Sequence, residues 1–538
     1  MIGSAIRPEK ELTMRNCEVV DTILSSRRHE PWTGRRLNCI LTEITDLLTI
    51  PYRFERMPDR NPIEYFTLPS FVPAISSTQG RVCDAMSHGG LDADLALQLG
   101  ADIVNRGNID GVMLLRASLD QKETLEEITG IKLYENRLYE ISDIYPLDLS
   151  STADAVEEID GAYEFKFVVE DEDGAPIPSV ALTARFGKRV ASPVYSDSNG
   201  IALIKLAVAI VPLIQIRPAQ GYWPAELRGR KSSETVETIT LTRIDLKKHE
   251  RYIDLLGEPK LEDGKGVKVA IIDTGVAKHR DLPNVTKRLV VSQGAVLEDT
   301  LPDGIDHGTH VAGIIGCSNH AVLGHAPSAE IFSYRVCPPG TRNMKTIDLS
   351  VAIAHAVDAG ADIINLSLGF DLSDDGIVDS INFAHDIGVL VVAASGNNSS
   401  CKVNFPANMP RVVAVSALGR IDAYPFGSTA QLQLAKDAQG EYFVAAFSNL
   451  APGMIQCSAP GVGIVSTVLD DGYLAESGTS MAAPAVTALA ATLLSRNLSK
   501  LGARTSERLK NLEEMLYTGC NRAGFSSDHV GHGIPSVR

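Results

Sequence analysis

Three short stretches of this chain carry side chains that can do chemistry together: Val269 to Gly275 (VAIIDTG), Asp306 to Gly313 (DHGTHVAG) and Gly478 to Pro484 (GTSMAAP). They supply a carboxylate, an imidazole and a hydroxyl. A serine hydroxyl is a poor nucleophile until a base takes its proton. An imidazole is that base only in the right tautomer, which a carboxylate on its other nitrogen enforces. Asp273, His307 and Ser480 fit those needs, and the chemistry they would support together is acyl transfer. Asp306 and Asp303 are the competing carboxylates; neither follows a strand as Asp273 does, and both read as solvated loop residues. His310 lies about one helical turn beyond His307 and reads as a packing or locally bonded histidine.

Such groups need a frame that holds them. From Gly266 onward, strands and helices alternate. The segments Val267 to Ile272, Glu330 to Val336, Ile363 to Leu368, Val389 to Ala394 and Val412 to Ala417 are nearly all apolar, as a parallel sheet buried on both faces requires. Leu349, Ile353 and Val357 form a helical stripe closed by Gly360, and Ile377, Ile381 and Ala384 form another closed by Gly388. Asp273 follows its strand at the carboxyl edge, where open α/β sheets place their sites. His307 opens a run of small residues to Gly316 that predicts a closely packed helix. Ser480 begins an alanine-rich helix over Met481 to Leu494, with Pro484 in the first turn, where proline is tolerated.

Ahead of this region, Tyr163, Phe165 and Phe167 alternate with charged residues, and Ile239 and Leu241 alternate with threonines, a pattern of strands with one apolar face. Asp173-Gly174 and Asn199-Gly200 supply turns, and Ile201 to Ile216 reads as buried strands, so a β-sandwich is expected. Its strand pattern resembles small sandwiches of the carboxypeptidase-regulatory or transthyretin-like kind, which implies a scaffolding or binding role. Still earlier, Leu37, Ile40, Leu41, Ile44, Leu47 and Leu48 predict an amphipathic helix from Arg36 to Thr49, ended by Pro51. Leu91 to Asn105 reads as helical, and Val112 to Ile141 as strand, helix, strand. The expected division is a helical and connector segment over 1–65, a small α+β region over 66–155, the sandwich over 156–244 and an α/β catalytic domain over 245–538.

The order Asp, His, Ser, with these extended motifs, resembles the subtilisin-like serine proteases (subtilases, the peptidase S8 family) over about Gly266 to Pro535. The resemblance implies a subtilisin-like parallel sheet flanked by helices and a serine endopeptidase working through an acyl-enzyme. Ser480 is then the nucleophile, His307 the general base and later acid, and Asp273 the residue that orients it. It also implies a second oxyanion donor in Asn397, beside the backbone N–H of Ser480. Ser367, Leu368 and Gly369 match the family's substrate-pairing strand, and Phe405 and Pro406, with Ala407, the wall of its specificity pocket. Gly111 to Leu115 and Thr124 to Glu127 loosely match the family's α+β pro-region. Three departures stand out. Ala485 follows Pro484 where many members have a histidine. The chain after His307 is shorter than in calcium-binding members, and Ser318-Asn319-His320 offers few oxygen ligands. Extra residues from Tyr424 to Gly440 would cover the site or bind a partner.

The formal charge of −17 and the lack of a Lys/Arg-rich block argue against a nucleic-acid partner. No apolar run is long enough to span a bilayer, so no membrane association is expected. Met1 to Val20 mixes acidic and basic residues, the wrong pattern for a secretory signal, and predicts a cytoplasmic protein. The eight cysteines show no metal-ligand spacing and read as reduced thiols, one or two disulfides fitting only export by another route. No metal and no cofactor is expected. The expected partners are a polypeptide substrate and a regulatory protein bound through the N-terminal half. Two other functions fit the same residues: a peptide ligase or macrocyclase using the same acyl-enzyme, and a protease-like binding scaffold held latent by its first half.

Overall fold

Every residue of Met113–Ala117 except Arg116 is buried, and a small α+β unit assembles around that strand. In a computed structural model we describe residues 62–69, 91, 93–140, 163–186, 189–233, 235–301, 304–433 and 438–537. The helix expected from Arg36 to Thr49 and the carboxylate of Asp303 lie outside the described residues. Strands β1 (Ile63–Phe66), β2 (Asp102–Arg106), β3 (Met113–Ala117) and β4 (Tyr134–Glu135) form a sheet in the order β2-β3-β1-β4. Helices α1 (Ala93–Gln98) and α2 (Leu119–Thr129) accompany it. Ser118 and Gln121 form a capping box at the start of α2, and Gly130 ends it in the left-handed region. The helix expected from Leu91 to Asn105 is cut short. Gly100 takes a φ of +81° and the chain turns back, so that Asp102–Arg106 pairs with β3. A further strand, β5 (Leu138–Glu140), leaves this sheet altogether.

The next unit is built from two sheets that share one core. Strands β6 (Tyr163–Asp171), β7 (Ala181–Phe186), β8 (Arg189–Val190), β9 (Val194–Tyr195), β10 (Ile201–Leu206), β11 (Ile210–Arg217), β12 (Ala225–Lys231) and β13 (Glu237–Leu241) divide between them. One sheet runs β10-β6-β13; the other runs β12-β11-β7-β8, with β9 beside β7. Phe165, Phe167 and Val169 turn inward from β6 to meet Leu182, Ile214 and Ile216 from the facing sheet. Each such side chain stabilises the unit by roughly 1.5–3 kcal/mol when fully buried.

The C-terminal half contributes β14 (Lys268–Asp273), β15 (Val285–Ser292), β16 (Ala295–Glu298), β17 (Glu330–Arg335), β18 (Asn343–Lys345), β19 (Ile363–Leu366), β20 (Leu390–Ala394), β21 (Val413–Arg420), β22 (Ala438–Gln439), β23 (Tyr442–Val444) and β24 (Cys457–Pro460). Apart from β18 these make one sheet in the order β16-β15-β17-β14-β19-β20-β21-β23-β22, with β24 also paired to β21. Its centre is parallel, from β15 through β17, β14, β19 and β20 to β21. Apolar side chains on both faces need cover on both faces, and helices α3 (His307–Gly316), α4 (Thr346–Asp358), α5 (Asp375–Asp386) and α6 (Thr479–Leu501) help to provide it. A hairpin, β25 (Ile464–Thr467) and β26 (Tyr473–Glu476), leads into α6.

The three units are in contact. Strand β5 pairs antiparallel with β18, directly ahead of α4. The N-cap residue of α4, Lys345, makes no side-chain cap. Its first two N–H groups donate instead to the first unit, Thr346 N to Arg137 O at 2.9 Å and Ile347 N to Asn136 Oδ1 at 3.3 Å. On α5, Asp379 accepts from Tyr134 Oη at 2.7 Å and from Lys132 Nζ at 3.1 Å. The sandwich sits against the hairpin and the extra segment: Gly221 N donates to Tyr473 O, Thr429 N donates to Pro224 O, and the Trp223 and Tyr424 rings lie 6.3 Å apart. Cys317, Cys337, Cys457 and Cys520 are free thiols, whereas Cys401 is disulfide-bonded, against the expectation of reduced thiols throughout.

Candidate active site

Three neighbouring parallel strands, β14, β19 and β20, end at the same edge of the sheet and deliver Asp273, Ser367 and the segment leading to Asn397. Asp273 is the last residue of β14. Its Oδ1 accepts from His307 Nδ1 at 2.7 Å and from Thr274 N at 2.7 Å. Both side chains of the Asp273–His307 pair are buried. With Nδ1–H committed to the carboxylate, Nε2 is the basic nitrogen, and it has no hydrogen-bond partner among the described residues.

Close backbone packing fixes where the imidazole stands. Gly308 N donates to Thr274 Oγ1 at 3.1 Å, and Ala277 N donates to Thr309 Oγ1 at 2.9 Å, tying the first turn of α3 to the end of β14. A Cβ on Gly308 would lie 2.1 Å from Gly275 O, so only glycine allows this approach. His310 is packed in the interior, one of the two roles its spacing suggests, and its hydrogen bonds are long-range, not local: its Nε2 reaches Ile464 O at 2.9 Å and Leu474 O at 3.2 Å, holding α3 against the hairpin. Burial pushes that imidazole toward the neutral form, against the pull of Glu476.

Ser480 stands in the first turn of α6, two residues after Gly478. Its hydroxyl donates to Ser367 O at 3.2 Å, and Ser367 Oγ donates back to Ser480 O at 2.8 Å. Asn365 Nδ2 donates to Ser367 Oγ at 2.9 Å, and Thr487 Oγ1 donates to Asn365 Oδ1 at 2.9 Å, so the segment after β19 is bolted to α6. Asn397 Oδ1 accepts from both Thr479 N and Thr479 Oγ1 at 2.8 Å, which fixes the orientation of its carboxamide. The position a Cβ would take on Gly478 lies 3.5 Å from Asn397 Nδ2 and 3.6 Å from Ser480 N. Two nitrogen donors therefore lie close to a residue without a side chain, the placement that receiving an oxyanion would need.

The structure brings the other segments singled out by sequence to the same place. Phe370 N donates to Phe405 O at 2.7 Å and Phe405 N to Phe370 O at 2.9 Å, so the chain following Ser367, Leu368 and Gly369 runs beside Phe405 and Pro406. Asn404 N donates to Ser395 O, and Asn449 Nδ2 to Asn404 Oδ1, joining that wall to the Asn397 segment. Tyr139 of β5 stacks its ring on Phe370, centroids 4.5 Å apart.

Asp306 differs from its sequence reading. It is no solvated loop residue: Oδ2 accepts from Arg217 Nη2 at 3.1 Å and Oδ1 from Leu469 N at 3.2 Å. Sequence reasoning also passed over Thr479, Glu476 and Arg217. Thr479 could have been found, being part of the serine motif; the other two carry no local signal. Among the described residues no group of three His, Cys, Asp or Glu side chains could hold a metal ion, and no helix is long and apolar enough to cross a membrane.

Comparison with known proteins gives consistent matches. The model of the Subtilase family matches residues 264–532, half of the chain. The Thermostable alkaline protease of Halalkalibacterium halodurans is 36% identical over 250 residues, which cover 46% of this chain and 62% of that protein. Subtilisin BL of Lederbergia lenta is 35% identical over 250 residues, covering 46% of this chain and 83% of that protein. Among solved structures, Sphericase is 28% identical with a TM-score of 0.43, covering 51% of this chain and 93% of that one. The chain thus spans less than two thirds of the length of the alkaline protease.

Proposed function

Because this chain belongs to the subtilase family, we propose that it is a serine endopeptidase in which Asp273, His307 and Ser480 cleave peptide bonds through an acyl-enzyme. The observation that carries this reading is the buried Asp273–His307 bond, which leaves a basic Nε2 without a hydrogen-bond partner among the described residues, on a helix packed against the one that carries Ser480 in its first turn. Release of the Ser480 hydroxyl from Ser367 O lets it give its proton to Nε2 as its oxygen attacks the substrate carbonyl. The developing oxyanion is received by Ser480 N–H and Asn397 Nδ2. His307 then passes the proton to the departing amine, and water ends the cycle by attacking the acyl-enzyme. Asp273 holds the tautomer and stabilises the imidazolium that forms. An extended peptide lies along Ser367, Leu368 and Gly369, with Phe405 and Pro406 walling the pocket for one side chain.

The first unit regulates access in this reading. Strand β5 pairs with β18, and Tyr139 rests on Phe370, the residue after the Ser367 to Gly369 segment, contacts that support a restraint on peptide entry. The full-length protein is then a restrained enzyme, freed when β5 leaves or a protein partner draws it away. A fluorophosphonate probe tests the core of the proposal. It is expected to label the protein but not its Ser480→Ala variant, and only the labelled form should cut a mixed peptide library. Labelling that is absent, or that survives in Ser480→Ala, rejects the assignment.

A further inference from the structure

Among the ion pairs that the triad chemistry leaves unused is a largely buried cluster whose cation comes from the β-sandwich. Arg217 is the last residue of β11. Its Nη2 donates to Glu476 Oε1 at 2.7 Å and to Asp306 Oδ2 at 3.1 Å. Asp306 immediately precedes His307, and Glu476 ends the strand that runs into Ser480 four residues later. A single guanidinium nitrogen therefore ties together the two segments that present base and nucleophile. The contact is not a chance touch of a loose side chain, because the backbone next to it is docked as well, Gly221 N donating to Tyr473 O at 2.8 Å.

The electrostatics give this tie a second consequence. The Glu476 side chain is 0% exposed, and its Oε2 has no hydrogen-bond partner among the described residues. A carboxylate in such a place is tolerable only when paired. Burial pushes its carboxyl up, but Arg217, with His310 and His307, outweighs burial and brings it down to about 2. Glu476 is also joined through Arg217 to Asp306, the residue directly before His307. Coulombic influence is mutual: a carboxylate left without its cation favours the imidazolium form of His307, and a protonated His307 cannot take the Ser480 proton.

We infer that Arg217 is a positioning residue for the triad: through Asp306 and Glu476 it holds the His307 and Ser480 segments in register, and it cancels the Glu476 charge that otherwise acts on the imidazole. The inference rests on the reading of His307 as general base. Among the described residues, the charged and titratable groups on the segments around that imidazole include Asp273 from β14, Glu476 from β26, Arg217 from β11, Arg335 from β17 with its partner Asp299, and Asp306 and His310 from its own segment. Asp273 and Asp306 keep their N–H donors when Arg217 is replaced, Thr274 N and Leu469 N respectively, whereas Glu476 loses the cation hydrogen-bonded to it among the described residues.

The test uses the full-length protein with ¹³Cε1-labelled histidine, the His307 signal being assigned with His307→Gln. Arg217→Gln is expected to raise the His307 titration by about one unit. It should also slow fluorophosphonate labelling of Ser480 about tenfold more at pH 6.5 than at pH 9. Arg217→Lys, and the double variant Arg217→Gln/Glu476→Gln, should return both readings most of the way. A folded Arg217→Gln protein with an unmoved His307 titration overturns the inference, as does a shift that persists in the double variant. If Arg217→Gln does not fold, Glu476→Gln carries the test: with Arg217 retained and its counter-charge gone, the His307 titration must fall, and no movement overturns the proposal. Loss of the protease reading shows separately, as wild-type protein whose Ser480 is never labelled, and the titration still decides the role of Arg217.

Discussion

Thr479 spends both its N–H and its hydroxyl on one oxygen, Asn397 Oδ1, and its Oγ1 also accepts from Gly396 N at 3.1 Å. That is a heavy investment in holding a neutral carboxamide still. It makes sense if Nδ2 must be aimed before charge appears on a substrate oxygen, since a donor that reorients during the reaction loses most of its value. Thr479→Val keeps the side-chain shape and the backbone bond but removes the hydroxyl. We expect kcat to fall about tenfold with KM nearly unchanged, the pattern of an interaction made only in the transition state. Steady-state kinetics on a peptide substrate measures it; a rise in KM at constant kcat would instead make Thr479 a ground-state binding residue. At this scale Asp273, His307, Ser480 and Asn397 were readable because each lies in a motif with its own strand or helix signal. Glu476 and Arg217 were not, since 259 residues separate them and no spacing rule links a sandwich strand to a hairpin in another unit.

At the scale of elements, the apolar strands of the central sheet fall close to where their composition places them, because burial on both faces leaves little choice of side chain. Element ends were less legible. Helix α6 continues to Leu501, past the expected Leu494, and the expected helix after Leu91 gives way to β2, whose Ile103 and Val104 are β-branched residues suited to a strand. The first turn of α4 hides a further property that no pattern shows. Asp348 is buried there, and its Oδ1 accepts from Gly294 N at 3.0 Å. Burial raises its carboxyl to about 7, the Gly294 N–H and Lys345 only partly opposing it. The folded protein thus holds this proton more tightly than the unfolded chain does. Stability from this group is complete below about pH 4 and is lost as pH rises toward about 7. Asp348→Asn keeps an acceptor for Gly294 and removes the charge. Its melting temperature should exceed that of the wild type at pH 8 and converge with it near pH 4. Equal differences at both pH values would mean that Asp348 does not titrate in this range.

For the whole molecule, contacts between units carry information that the separate sequence patterns lacked. The extra residues from Tyr424 onward serve as a seat for the sandwich, through Tyr424 against Trp223 and Thr429 on Pro224. The sandwich in turn presents Arg217 to the segments that lead into His307 and Ser480. The first unit is joined more conditionally. Its grip on α5 is concentrated in Asp379, whose 5%-exposed side chain holds Tyr134 and Lys132 together. Its grip on α4 includes two acceptors lent to the start of that helix, a hydrogen bond from Arg137 N to Thr346 Oγ1 and the Glu64–Lys345 ion pair. If β5 restrains the enzyme, weakening this attachment must raise activity even though Asp379 is outside the triad and its bonding network. Asp379→Ala leaves the Tyr134 hydroxyl without its acceptor and the Lys132 ammonium with Asp375 Oδ2 at 3.9 Å, a loss of about 1–3 kcal/mol from the docked state. A destabilisation of that size shifts the balance between docked and released forms by roughly five- to over a hundredfold. Fluorophosphonate labelling of Ser480 in the full-length variant should accelerate accordingly, up to the rate of the fully released enzyme. Adding Tyr139→Ala, which removes the ring stacked on Phe370, should bring no further gain once release is complete. Equal labelling rates in wild type and both variants would separate docking from access, and would leave the first unit as a structural brace for α4 and α5.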